Sequence, residues 1–109
     1  MDKNIKNLLG IAYIAKKVLL SDTALLAIRK NQGKLVFIAN DASEKSIKKY
    51  TDKCKYYQVP YYLIFNTNEL SEAVGKYNRK LLVVTDEGFA NKIKNEIERR
   101  GIDGKKKSQ

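Results

Sequence analysis

Histidine and tryptophan are absent from this 109-residue chain, and cysteine, proline and methionine occur once each. Without histidine there is no imidazole to move a proton, no Ser-His or Cys-His pair, and the commonest zinc ligand is missing. The lone Cys54 cannot form an internal disulfide, which points to a reducing compartment. No apolar run approaches the roughly 18 residues needed to cross a bilayer. Lys3, Lys6, Lys16 and Lys17 interrupt the first stretch, and no small-residue cleavage site follows an apolar core, so it reads as a helix and not as a signal peptide. The expected location is the cytoplasm.

Positive charge is what the chain has in excess. Lysine and arginine number 22 against 12 acidic residues, a net charge of +10. The excess is uneven: residues 1–40 carry seven basic and two acidic side chains, whereas residues 81–101 carry four of each. A field of this kind attracts polyanions over about 8 Å at physiological salt, and its clustering favours a nucleic-acid surface over charge serving solubility alone. An apolar fraction of 43% is ordinary for a chain that folds without metals or disulfides.

Apolar residues at 5, 8, 9, 12 and 15 have the spacing of a helix over about 3–17. Val18-Leu19-Leu20 suffices only for a short strand. A second helix opens at Ser21 or Asp22, buries Ala24, Leu25 and Ile28, and stops at Gly33, a residue suited to a left-handed cap. "KLVFIAN" reads as a buried strand. Asp41 with Glu44 has the form of a capping box for a third helix bearing Ile47, Tyr50, Cys54 and Tyr57. "YYLIF" follows Pro60 as another strand, and Asn66 with Glu69 caps a short helix that Gly75 ends. "KLLVVT" is the last strand, and Asp86 caps a fifth helix with Phe89, Ile93 and Ile97 on one face, closed by Gly101. Alternating helices and wholly apolar strands predict a three-layer α/β/α sandwich around a mixed four-stranded sheet. Neither a repeat nor a linker divides the chain, so residues 1–101 are expected as one domain and the basic residues 102–109 as a disordered tail.

Catalytic signatures are missing. "AVGK" lacks the earlier glycine of a phosphate loop and has Tyr77 in place of its Ser or Thr, and no G-x-S-x-G elbow occurs. Cys54 falls on the apolar face of a helix, where a cysteine packs as a small hydrophobe. Asp41, Asp52 and Asp86 read as caps and surface charges. The expectation is a protein that is not an enzyme and takes no metal, cofactor or small-molecule substrate.

"NLLGIAYIAKKV", "AIRKNQGKLVFIANDAS", "TDKCKYYQVPY", "AVGK" and "VVTDEGFANKI" occur in an order and spacing that resemble bacterial, ribosomal-protein-like members of the ribosomal L-seven-Ae/L-thirty-e superfamily, over roughly residues 4–97. The resemblance implies a compact α/β/α domain that binds RNA, typically a kink-turn, without catalysis. It also implies a reading head at the start of the second helix, of the pattern Gly-Thr-Asn-Glu-x-x-Lys. There the glycine admits RNA closely, the polar pair accepts hydrogen bonds from guanines of sheared G·A pairs, and the lysine meets phosphate. On this chain the pattern falls on "LSDTALL": Leu20 at the glycine, Ser21 at the threonine, Asp22 at the asparagine, Thr23 at the glutamate and Leu26 at the lysine.

The residues themselves allow two readings of that turn. Ser21 or Asp22 can serve as an N-cap, or the helix start, with its unpaired N–H groups, can face RNA. Lys16 and Lys17 precede it as backbone-holding cations, with Arg29, Lys30 and Lys34 farther along. A second element that relatives place nearby reads "GKYNRK": Gly75 ends a helix, Lys76, Arg79 and Lys80 can neutralise phosphate, and Tyr77 offers a ring to an unpaired base. The expected partner is kink-turn or ribosomal RNA, on or off the ribosome, bound by a monomer. The rival is a protein-interaction adaptor on the same fold with a decayed RNA site, using Leu19, Leu20 and Leu26 as an apolar patch. A membrane surface is disfavoured, since no basic amphipathic helix stands apart from the core.

Overall fold

The computed structural model describes residues 1–101; the expected tail, 102–109, lies outside the described residues. In chain order the elements are α1 (Lys3–Ile14), β1 (Val18–Leu20), α2 (Ser21–Arg29), β2 (Leu35–Ile38), α3 (Glu44–Tyr56), β3 (Tyr61–Tyr62), α4 (Thr67–Ala73), β4 (Leu81–Val84) and α5 (Glu87–Arg99). The strands form one mixed sheet in the order β1-β4-β2-β3. β4 runs antiparallel to both its neighbours, with Val18 opposite Val84 and Val36 opposite Val83, while β3 is parallel to β2.

Strand periodicity divides the core in two. Leu35, Phe37, Leu82 and Val84 face α1, α4 and α5, packing with Ile5, Leu9, Leu70, Ile93 and Ile97. Val36, Ile38, Leu81 and Val83 face α2 and α3, packing with Ala24, Ile28 and Cys54. Both faces of the two central strands are covered, which is why they are apolar at every position. The α/β architecture is the expected three-layer one.

Helix termini follow local chemistry with several departures. Asn66 and Glu69 do form a capping box, and the Asp86 carboxylate accepts from the Phe89 N–H at 2.8 Å. Asp41 does not cap α3. Ser43 does, accepting from the Ser46 N–H, because the Asp41 carboxylate is engaged by Thr67, through its N–H at 2.9 Å and its hydroxyl at 2.6 Å. α1 stops at Ile14, short of the expected Lys17, and Lys16 takes the left-handed position at φ +63°. Asn31, at φ +60°, closes α2 in the role expected of Gly33. Gly33 sits in a tight space: a Cβ there would stand 3.1 Å from Val83 Cγ1, which would have to give way by a few tenths of an ångström. β3 pairs over two residues only, shorter than "YYLIF" suggests.

Candidate nucleic-acid interface

The junction between β1 and α2 begins with an extended Leu20 and turns sharply at Ser21, whose φ of +56° lies in the left-handed region. Among the described residues, no side chain caps α2, contrary to the expectation for Ser21 and Asp22. The reason is geometric. The Ser21 hydroxyl accepts from Arg79 Nη1 at 3.3 Å, and the Thr23 hydroxyl donates back to the Leu20 carbonyl at 2.7 Å. Asp22 is exposed. The first-turn N–H groups of α2 therefore have no side-chain acceptor, and the positive end of the helix is presented to what lies outside.

The segment between α4 and β4 is held by buried hydroxyls. Gly75 closes α4 at φ +70°, a conformation that glycine adopts without steric cost. Ser71, buried beneath the turn, accepts the Arg79 N–H on its hydroxyl at 2.7 Å, and its carbonyl accepts the Lys76 N–H at 2.9 Å. Farther along, the Lys80 ammonium donates to the Thr67 hydroxyl at 3.3 Å and to the Asn78 side-chain carbonyl at 3.1 Å. The Thr67 hydroxyl bond is the main cause holding the Asp41 carboxyl below its ordinary pKa. A chain of polar groups from Asp41 through Thr67 to Lys80 thus fixes the end of this loop against α4.

These two elements meet. A cleft of about 440 Å³ is walled by β1 and the first turn of α2 on one side and by Tyr13, Lys76 and Arg79 on the other. The Lys76 ammonium stands 6.0 Å from the centre of the Tyr13 ring, at the outer limit of a cation–π contact. Among the described residues, Arg79 Nε is buried without a hydrogen-bond partner. β1 contributes more than side chains. It is the sheet's end strand, and the Thr85 N–H bond to the Lys17 carbonyl sets the alternation of its pairing. The peptide groups of Val18 and Leu20 consequently point away from β4, toward the open edge, where the Leu20 carbonyl is already taken by the Thr23 hydroxyl.

Of the expected site residues, Leu20, Ser21, Asp22, Thr23, Lys76 and Arg79 come together in this cleft. Lys16, Lys17, Gly75 and Tyr77 are exposed on the turns that flank it, and Tyr77 retains 91% of its accessible surface. Leu26, 47% exposed, lies one helical turn beyond Asp22 on the same face of α2. Arg29 and Lys30 are at the far end of α2, about 12 Å along its axis from Ser21, and do not share the cleft. Tyr13 was not singled out from sequence. Its position one turn after Leu9, at the end of the α1 stripe that leads into β1, is the signal that places it beside Ser21.

Among the described residues, nothing in the cleft resembles an acid–base set. Cys54 lies in the core beneath α3, and burial pushes its thiol up to about 12, far from a reactive thiolate. Among the described residues, no three His, Cys, Asp or Glu side chains gather as metal ligands, and no helix is long and apolar enough to cross a membrane. The cleft offers two cations, one carboxylate, an aromatic ring, hydroxyls and unpaired main-chain groups. That combination can grip phosphates while leaving acceptors and donors for base edges.

The architecture and the cleft define the class: a small α/β/α domain with a cationic cleft at the free edge of its sheet. Residues 3–94 match the family described as "Ribosomal protein L7Ae/L30e/S12e/Gadd45 family", and the chain belongs to that family. It is 45% identical over 87 residues to "RNA-binding protein YlxQ" of Bacillus subtilis (strain 168), covering 79% of this chain and 87% of that one. Identity to "RNA-binding protein YlxQ" of Enterococcus faecium is 43% over 93 residues, 84% of this chain and 89% of that one. Among solved structures, a protein of unknown function from Bacillus halodurans C superposes with a TM-score of 0.82 at 33% identity, covering 89% of this chain and 99% of that one. The Giardia lamblia 15.5kD RNA binding protein shares the fold, with a TM-score of 0.71 at 20% identity over 91% of this chain and 92% of that one.

Proposed function

We propose that this protein is a noncatalytic RNA-binding protein that recognises structured RNA of the kink-turn type, ribosomal RNA included, as a cytoplasmic monomer. The observation that carries the reading is the convergence of the uncapped α2 start with Lys76 and Arg79 on one cleft, beside Tyr13. The family membership and the relatives named as RNA-binding proteins support it. Lys17, Lys76 and Arg79 hold phosphates and orient the strand. Asp22 accepts from base N–H donors, Ser21 and Thr23 add hydroxyls, and the exposed Tyr77 stacks on an unpaired base.

The test is a titration of a kink-turn RNA against the same duplex lacking its G·A pairs, at two salt concentrations. We expect a clear preference for the kink-turn, and Lys76→Ala should reduce the salt slope by about 0.7–0.9 unit. Equal affinity for both duplexes leaves only nonspecific electrostatics and refutes kink-turn recognition. One observation favours a protein-binding adaptor instead: Leu20 lines the cleft and Leu26 stands exposed where the family pattern has glycine and lysine. If Leu20→Gly with Leu26→Lys abolishes capture of a protein partner and creates kink-turn affinity that the wild type lacks, the adaptor reading replaces the first.

A further inference from the structure

A second cleft of about 460 Å³ is lined by Lys16, Leu19, Asn31, Gln32, Lys34 and Thr85. Leu19 belongs to the walls of both clefts, so they adjoin across β1. The charged lining among the described residues has a single sign: two ammonium groups and no carboxylate. Among the described residues, neither lysine is ion-paired. The α1 and α2 carboxyl ends converge on this cleft, and carbonyls exposed there would repel an anion. They are occupied. The Tyr13 and Ala12 carbonyls accept the Lys16 and Lys17 N–H groups, and those of Ile28 and Ala27 accept the Asn31 and Gln32 N–H groups.

We infer that this cleft is a second seat for RNA, one that holds the sugar–phosphate backbone of the strand leaving the first cleft; the inference rests on the RNA-binding reading. Lys16 and Lys34 each neutralise a phosphate. The Asn31 and Gln32 carboxamides carry both donors and acceptors, which suits ribose 2′-hydroxyls as well as phosphate oxygens, and Leu19 supplies an apolar surface for the sugar. The contacts are to backbone only, so this seat adds affinity and direction without reading sequence.

The experiment uses the full chain and a kink-turn RNA with helical arms of about ten base pairs, titrated over a range of KCl concentrations. Lys16→Gln with Lys34→Gln removes both charges and keeps most of each side-chain stem. It should lower the salt slope by about 1.5 units, as expected for two phosphate contacts. Lys45→Gln with Lys49→Gln, an equal loss of charge at exposed positions of α3, should lower it by less than a third of that. Gln32→Ala should weaken binding about three-fold with the slope unchanged, since it removes hydrogen bonds and no charge. Equal slope losses in the two double variants overturn the inference, because net charge alone would then act. An unchanged slope in the first double variant also overturns it; if Lys76→Ala still lowers the slope, RNA binding through the first cleft stands. A wild-type protein that binds neither at low nor at high salt removes both proposals.

Discussion

Replacing Ser71 by alanine tests how the arginine of the cleft is held. Ser71 is 3% exposed, and its hydroxyl accepts the Arg79 N–H at 2.7 Å. The return bond, from that hydroxyl to the Arg79 carbonyl, is long at 3.4 Å and contributes little. The substitution therefore leaves one amide donor under the loop without its acceptor, a cost of about 1–2 kcal/mol. For a domain of this size such a loss corresponds to a fall in Tm of about 5–15 °C, read by far-UV circular dichroism. Amide exchange should quicken at Arg79 relative to its neighbours. The cleft suffers too, because Arg79 spans to Ser21 from this anchored peptide. A loosened loop must be ordered on binding, and RNA affinity should fall about three- to ten-fold, equivalent to about 0.7–1.4 kcal/mol. A Tm within about 1 °C of wild type, with unchanged exchange at Arg79, would refute the anchoring role.

Tyr62→Phe should leave the protein as stable or stabilise it by about 1 kcal/mol, because among the described residues the buried hydroxyl has no partner, while the ring keeps its stacking on Phe37; a clear loss in chemical denaturation would contradict this. Glu96 governs part of the acid response. Hydrogen bonds from Arg100 first, then Arg99 and Asn4, lower its pKa from 4.5 to about 2. The folded value is the depressed one, so its stabilising effect is complete above about 4.5 and is lost as pH falls toward 2. Glu96→Gln should be less stable at neutral pH and lose less on acidification across that window; parallel unfolding curves for the two proteins would refute the linkage.

Much of this arrangement was legible in the residues, and the failures share a cause. β2 and β4 announced themselves because strands covered on both faces are apolar throughout. The Asn66–Glu69 box and the Asp86 cap are local, closed within four residues, and a short window contains all their atoms. Asp41 looked equally local, yet its Oδ1 is engaged twice by Thr67, 26 positions away. Ser21 likewise resembled a cap, and a guanidinium 58 positions distant engages its hydroxyl. Gly33 was expected to supply a left-handed turn, but Asn31 supplies it and the glycine answers instead to the bulk of Val83 across the sheet. At the candidate site, the helix start and the loop before β4 were expected to lie near each other only through family resemblance. Charge alone also pointed to Arg29 and Lys30, because a count of lysines and arginines carries no information about which end of a helix they occupy.

The outward-facing peptides of β1 have a consequence for how this surface can change. A side chain at position 20 or 26 can be exchanged by a single codon, but the amide and carbonyl groups along a terminal strand belong to the path of the chain. They persist in any variant that preserves the strand order. A molecule that docks by bonding to that rim would tolerate substitutions at those positions as long as they left the rim unobstructed.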